Sequence, residues 1–155
     1  MNPLELITRY YDGCSTGDVE AMCSTLHPDV VHYFLAPNVG SAPVAGAEHL
    51  ARYWRKVQAR IGARWVVDHA LAGDLSSGEG EAVIEWTMFW LPPGGTERVA
   101  TRGAEWFTIS GGLIREIRSY YQQREDTTEL DAFDYAARGY STAGAEHSAL
   151  HRPAG

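Results

Sequence analysis

Apolar side chains recur at Leu4, Ile7, Tyr10, Tyr11 and Cys14, a spacing of three and four that predicts a helix over 3–14. Pro3 sits in its first turn and Gly17 ends it. Asp18 is placed to cap a second, short helix over 19–26, which His27-Pro28-Asp29 breaks. Residues 30–35 are β-branched and aromatic and predict a strand, while 36–46, with two prolines and two glycines, predicts a loop. A third helix is expected over 47–61. Leu50, Tyr53, Trp54, Val57 and Ile61 share one face, and Arg52, Arg55, Lys56 and Arg60 lie mostly on the other.

Beyond Gly62 the period changes from helical to alternating. Strands are expected over 64–71, 81–91, 97–109 and 113–122, with turns at Pro92-Pro93-Gly94-Gly95 and Ser110-Gly111-Gly112. The pattern weakens after Thr127. Leu130, Phe133, Tyr135 and Ala136 suggest a short docking helix, and residues 141–155 read as a mobile tail on a single domain of residues 1–140. The order α-α-β-α-β-β-β-β is an α+β plan, helices first and an antiparallel meander after. If its sheet curves strongly, such a plan encloses a pocket.

Composition narrows the function. The 155 residues carry 13 basic and 20 acidic side chains, a formal charge of −7, and Lys56 is the one lysine. No basic run exists to neutralise phosphates, so nucleic acid is not an expected partner. No apolar run approaches the roughly 20 residues of a membrane span, and the opening residues, with Glu5 among them, do not read as a signal peptide. A soluble, cytoplasmic protein is expected. Cys14 and Cys23 lack a metal-binding spacing and read as free thiols. A site built from His32, His49 and His69 matches no ligand pattern, so neither metal nor cofactor is expected.

Three stretches resemble the SnoaL-like, or nuclear transport factor 2-like, superfamily of ketosteroid isomerases, limonene-epoxide hydrolases and polyketide cyclases. They are RYYDGCSTGDVEAMCSTLHPDVVHYF, AGAEHLARYW and WFTISGGLIREIRSYYQ. The resemblance implies a cone-like curved antiparallel sheet, cystatin-like, with N-terminal helices enclosing a pocket. Position by position, the isomerase general base falls on Phe34, its oxyanion-donating Tyr on Tyr10, and its protonated Asp on Glu105. The epoxide hydrolase triad falls on Ile84, Trp86 and Ser119 and is absent, and that family's water-binding pair falls on His32 and Phe34.

Strand alternation puts His32 with Phe34, Trp86 with Ile84 and Met88, Glu105 with Phe107, and Ser119 with Tyr121 on the inner face. The expected site therefore has His32 as base, Glu105 as acid and Tyr10 as oxyanion donor. Phe34, Trp54, Trp86, Met88, Phe107, Ser119 and Tyr121 are expected to contact substrate. The expected activity is cofactor-independent proton transfer (isomerisation, cyclisation or dehydration) on an apolar or polyketide-like molecule. The alternatives are a non-catalytic binding or assembly protein and a hydrolase activating a pocket water. A homodimer is expected to form through the outer sheet face, with Phe89 at the contact.

Overall fold

The computed structural model describes residues 2–37 and 42–154. Its elements run α1 (Pro3–Thr16), α2 (Val19–Cys23), β1 (Leu26–Phe34), β2 (Val44–Ala45), α3 (Ala47–Ile61), β3 (Arg64–Ala72), β4 (Gly80–Trp90), β5 (Val99–Ser110) and β6 (Leu113–Tyr120). Asn2 opens α1 with a reciprocal capping box to Glu5, and the Asp18 side chain caps α2 by accepting from the Ala21 N–H. The expected order holds, with β2 as an addition. Of the loop expected over 36–46, residues 38–41 lie outside the described residues. The second helix ends earlier than expected because β1 already begins at Leu26. His27, Pro28 and Asp29 form an irregularity between Leu26 and Val31, where a strand tolerates proline.

The six strands form one curved, unclosed sheet in the order β2-β1-β6-β5-β4-β3. β3 to β6 are the expected antiparallel meander, and β1 joins β6 in parallel. The N-terminal helices pack on the concave face and bury Leu6, Ile7, Tyr10, Tyr11, Leu50 and Trp54 against Trp86, Phe107, Ile114 and Ile117. Gly103 on β5 is required by this packing. A Cβ there would stand 2.8 Å from the Trp86 ring and 2.7 Å from Tyr121 Cβ. A lone glycine inside a strand marks such a close approach.

The convex face departs from expectation. Residues 130–136 form turns, not a helix, and Thr128 bridges Thr101. Residues 141–153 are not a loose tail but a strap laid over the β3 edge. The Ser148 hydroxyl donates to Val67 O at 2.7 Å, and His151 Nδ1 accepts from the Val67 N–H at 3.0 Å. Nε2 must then hold the ring proton, which it donates to Asp12 on α1 at 3.0 Å. Ser15 of α1 accepts from the Trp65 N–H at 2.9 Å. Backbone groups that an edge strand leaves open are thus filled from within the chain.

Further polar ties hold the strap down. Ser141 donates twice to Asp68, and Glu146 pairs with Arg98 at 3.0 Å and Arg64 at 3.7 Å. The Arg102 guanidinium stacks on Tyr135 at 3.6 Å and bonds Thr87, Ser141 O and Glu129. Among these contacts Val66, Phe89 and Ala100 form a small second core. Phe89 is therefore buried inside its own chain and is not available to a second copy. Any pairing of two copies through the sheet has to use the uncovered stripe that carries Tyr33, Trp106 and Leu71.

His151 is the hub of this closure. His151→Ala strips a partner from the buried Val67 N–H and from Asp12. It should lower stability in urea by about 1–3 kcal/mol and speed proteolysis of the C-terminal segment. An unchanged denaturation midpoint would show that the strap contributes nothing to the fold.

Candidate functional site

The period-2 faces of β1, β5 and β6 deliver His32, Glu105 and Ser119 to one place at the bottom of the cone. Glu105 and Ser119 are register partners, and His32 reaches Ser119 from across the β1–β6 pair. His32 Nε2 lies 2.5 Å from Ser119 Oγ. From the other side Tyr11 of α1, one residue from the tyrosine expected there, donates its hydroxyl to Glu105 Oε2. All four are buried. His32 and Glu105 thus belong to one polar chain, joined through Ser119 and not by direct contact.

Burial decides the charges. Desolvation lifts the Glu105 carboxyl from its ordinary 4.5 to about 7, against opposing pulls from Tyr11, Ser119 and Trp86. The Trp86 indole favours the ionised form although its Nε1 makes no well-formed hydrogen bond. Desolvation also drops His32 from 6.5 to about 3. Near neutral pH the imidazole is neutral. Its Nδ1 has no partner, and a bare lone pair is cheaper to bury than an N–H. The proton therefore belongs on Nε2, pointing at Ser119, whose own hydroxyl is left to face Glu105.

Tyr10, expected as the donor, is buried edge-on against Tyr11 with ring centroids 5.2 Å apart, and its hydroxyl faces Cys14 and Trp54 without a well-formed hydrogen bond among the described residues. Both tyrosines lie on the apolar stripe of α1, so spacing alone could not rank them. Burial pushes both phenols well above their ordinary pKa. Tyr11 is the one whose ring meets Phe107 on β5, and that direction carries it to Glu105.

Above this chain a cavity of about 980 Å³ opens beneath α3. Of the expected contact residues Trp54, Met88 and Tyr121 line it, joined by Trp90, which strand alternation puts on the same inner face as Trp86 and Met88, and by Tyr53 and Val57, which sequence reasoning did not assign to the pocket. Trp86, Phe107 and Ser119 are instead packed beneath the cavity floor. Phe34 stacks on the His32 ring at 4.3 Å and meets Tyr53 and Trp54. Aromatic rings separate the polar chain from the cavity, Trp54 towards His32 and Tyr121 with Trp86 towards Glu105. Trp54 has one side on the cavity and the other 5.4 Å from the His32 ring, and Tyr121 borders both the cavity and Trp86 at 4.9 Å.

A smaller recess of about 270 Å³ lies on the convex side under the strap, beside Asp68, Glu85, Arg102 and Tyr140. Its polar groups mainly engage one another, as in Tyr140 donating to Glu85 and Thr87 to Asp68, so they hold the strap in place. His49 is exposed on α3, against Ala45 O at 3.3 Å, and His69 is exposed on β3 beside Tyr140, while His32 is buried. Among the described residues no three His, Cys, Asp or Glu side chains are grouped to hold a metal. Cys14 and Cys23 are free thiols. No helix among the described residues is long and apolar enough to cross a membrane.

A helix-covered cone with a polar chain at its base and an aromatic mouth defines the class. Residues 7–117 match the SnoaL-like domain family, and the chain belongs to it. It is similar to a protein of unknown function with a cystatin-like fold from Methylobium petroleophilum. The two are 35% identical with a TM-score of 0.65, over 97% of this chain and 94% of that one. A protein with a ketosteroid isomerase-like fold from Catenulispora acidiphila, in complex with trimethylamine, is 17% identical. Its TM-score is 0.65 over 79% of this chain and 88% of that one. A proposed polyketide cyclase from Pseudomonas putida is 21% identical, with a TM-score of 0.57 over 78% and 92%. No curated protein is similar in sequence.

The two shifted groups have opposite effects on stability. Glu105, raised, adds stability below its ordinary 4.5 that is lost as pH climbs through about 7. His32, lowered, adds stability above its ordinary 6.5 that is lost as pH falls toward about 3. Between about 4.5 and 6.5 the two slopes cancel, so the wild-type profile should be flat from this source. Glu105→Gln should unmask a rise with pH of roughly 1 kcal/mol per unit across that window in urea titrations. A variant profile parallel to wild type would show that Glu105 ionises normally.

Proposed function

We propose that this protein is a cofactor-independent enzyme that binds an apolar or polyketide-like molecule in the aromatic cavity and moves protons within it. The observation that carries the reading is a buried polar chain, Tyr11–Glu105–Ser119–His32, beneath the aromatic lining of that cavity, with burial holding its carboxyl at about 7. A group with this pKa both gives and takes a proton near neutrality, the condition general acid–base catalysis favours. Once Glu105 has taken up a proton, the Tyr11 hydroxyl that it held is released to donate to an oxygen that gains negative charge.

This moves the base role from His32 to Glu105. An imidazole held near 3 takes up protons poorly, so His32 acts by orienting Ser119. In an isomerisation, ionised Glu105 takes a proton from a carbon next to a carbonyl, Tyr11 bonds the enolate oxygen, and the proton returns to a different carbon. Cyclisation or dehydration uses the same proton transfer on other partners. Contact with Glu105 requires the rings between it and the cavity, Tyr121 and Trp86, to move aside, a local side-chain gate. Family membership and the likeness to a proposed polyketide cyclase support a polyketide-like ligand.

The seal itself favours a second reading, a binding protein in which the Tyr11–Glu105–Ser119–His32 chain only fixes the core. Deuterium uptake separates the two. The protein is incubated in D₂O with a panel of polycyclic aromatic ketones, and exchange next to the carbonyl is followed by NMR. The catalytic reading expects exchange with wild type and a loss of about 100-fold or more in Glu105→Gln, which keeps the fold. A ketone that binds tightly without exchange in wild type would favour the binding protein.

A further inference from the structure

The mouth of the cavity carries information that its walls do not. α3 forms one wall and holds four of the 13 basic residues, Arg52, Arg55, Lys56 and Arg60, but only one of the 20 acidic ones, Glu48. Arg52 is engaged by Glu48 at 2.5 Å. On a chain with a formal charge of −7, this helix is a local field of the opposite sign.

Arg60 is the member of that set that lines the cavity. It is exposed and makes no hydrogen bond or ion pair within the described residues. The other arginine at the mouth, Arg124, is occupied by Asp126 through Nε at 2.7 Å and Nη2 at 3.1 Å. Glu125 stands on the same rim and makes no ion pair with Arg60. Among the described residues the mouth thus offers one unengaged guanidinium at the end of an aromatic slot, and one carboxylate that repels an acid placed elsewhere on the rim.

We propose that the cavity selects a planar, mainly apolar ligand that carries a carboxylate, with Arg60 pairing with that carboxylate at the mouth. The inference rests on the reading of the cavity as the ligand site and adds to it the chemical class of the ligand. Tyr53, Trp54, Trp90 and Tyr121 give faces and edges for a flat ring system. The guanidinium presents paired N–H donors in a plane, which match the two oxygens of a carboxylate. Arg55 and Lys56, exposed on the same helix, draw the anion toward the mouth without touching it. The ligand then lies with its acid at the rim and its far end on Trp54 and Tyr121, which pack on His32 and Trp86 of the layer beneath.

The test uses two probes of one shape, anthracene carboxylate and anthracene methanol, titrated into the intact protein while tryptophan fluorescence is followed. The proposal expects wild type to bind the acid roughly tenfold more tightly than the alcohol, the scale of a hydrogen-bonded charge. Arg60→Gln should erase that preference and leave the affinity for the alcohol unchanged. Arg55→Gln should keep the preference. Equal binding of the two probes by wild type, or a preference that survives Arg60→Gln, overturns the proposal while the alcohol's binding leaves the cavity reading intact. If neither probe binds, both readings fall together.

Discussion

The structure turns on one constraint, a carboxyl placed where water does not reach. Glu105 sits at the base of a cone among Trp86, Phe107, Tyr10 and Tyr11, and among the described residues no positively charged side chain bonds it. An ionised carboxylate there is costly, so the site answers with a proton and with hydrogen bonds from neutral partners. Tyr11, Ser119 and His32 follow from that need. The same desolvation keeps His32 neutral, and the two groups together hold one proton across a range of mildly acidic pH. The aromatic layer above the chain sustains the desolvation, which links the shape of the cavity to the chemistry beneath it.

The strap serves the cone from outside. A strongly curved open sheet leaves β3 as an edge, with backbone groups at Trp65 and Val67 seeking partners. α1 supplies Ser15 and, through Asp12, holds His151 in position. The helix that presents Tyr11 to Glu105 on one side thus anchors the C-terminal segment on the other. Residues that look incidental to the site, such as Asp12 and His151, bear on how firmly Tyr11 is placed.

Much of this was legible in the order of residues. The two periodicities separated helices from strands, and 47–61 matched α3 at both ends because Gly62 stops it cleanly. Alternation placed His32, Glu105 and Ser119 on the inner face. What it missed was direction and depth. Tyr10 and Tyr11 are both apolar-face residues, and only the packing against Phe107 chooses between them. Trp86 was expected to meet ligand but is packed beneath the floor, and Gly103, whose lack of a side chain admits its ring, was a signal available in the sequence. The strap escaped because its apolar content is low. It is held by polar groups aimed at single backbone atoms, and such contacts leave no periodic trace.

The protonation of Glu105 is the point on which the account stands, and it can be observed directly. The carboxyl carbons of glutamate, labelled with ¹³C, are followed by NMR as pH is varied, with Glu105→Gln used to assign the resonance. The account predicts one glutamate that titrates with a midpoint near 7, well above the ordinary 4.5. If the Glu105 signal instead titrates near 4.5, the carboxyl is solvated or paired, and neither the poised acid nor the sealed polar chain describes this protein.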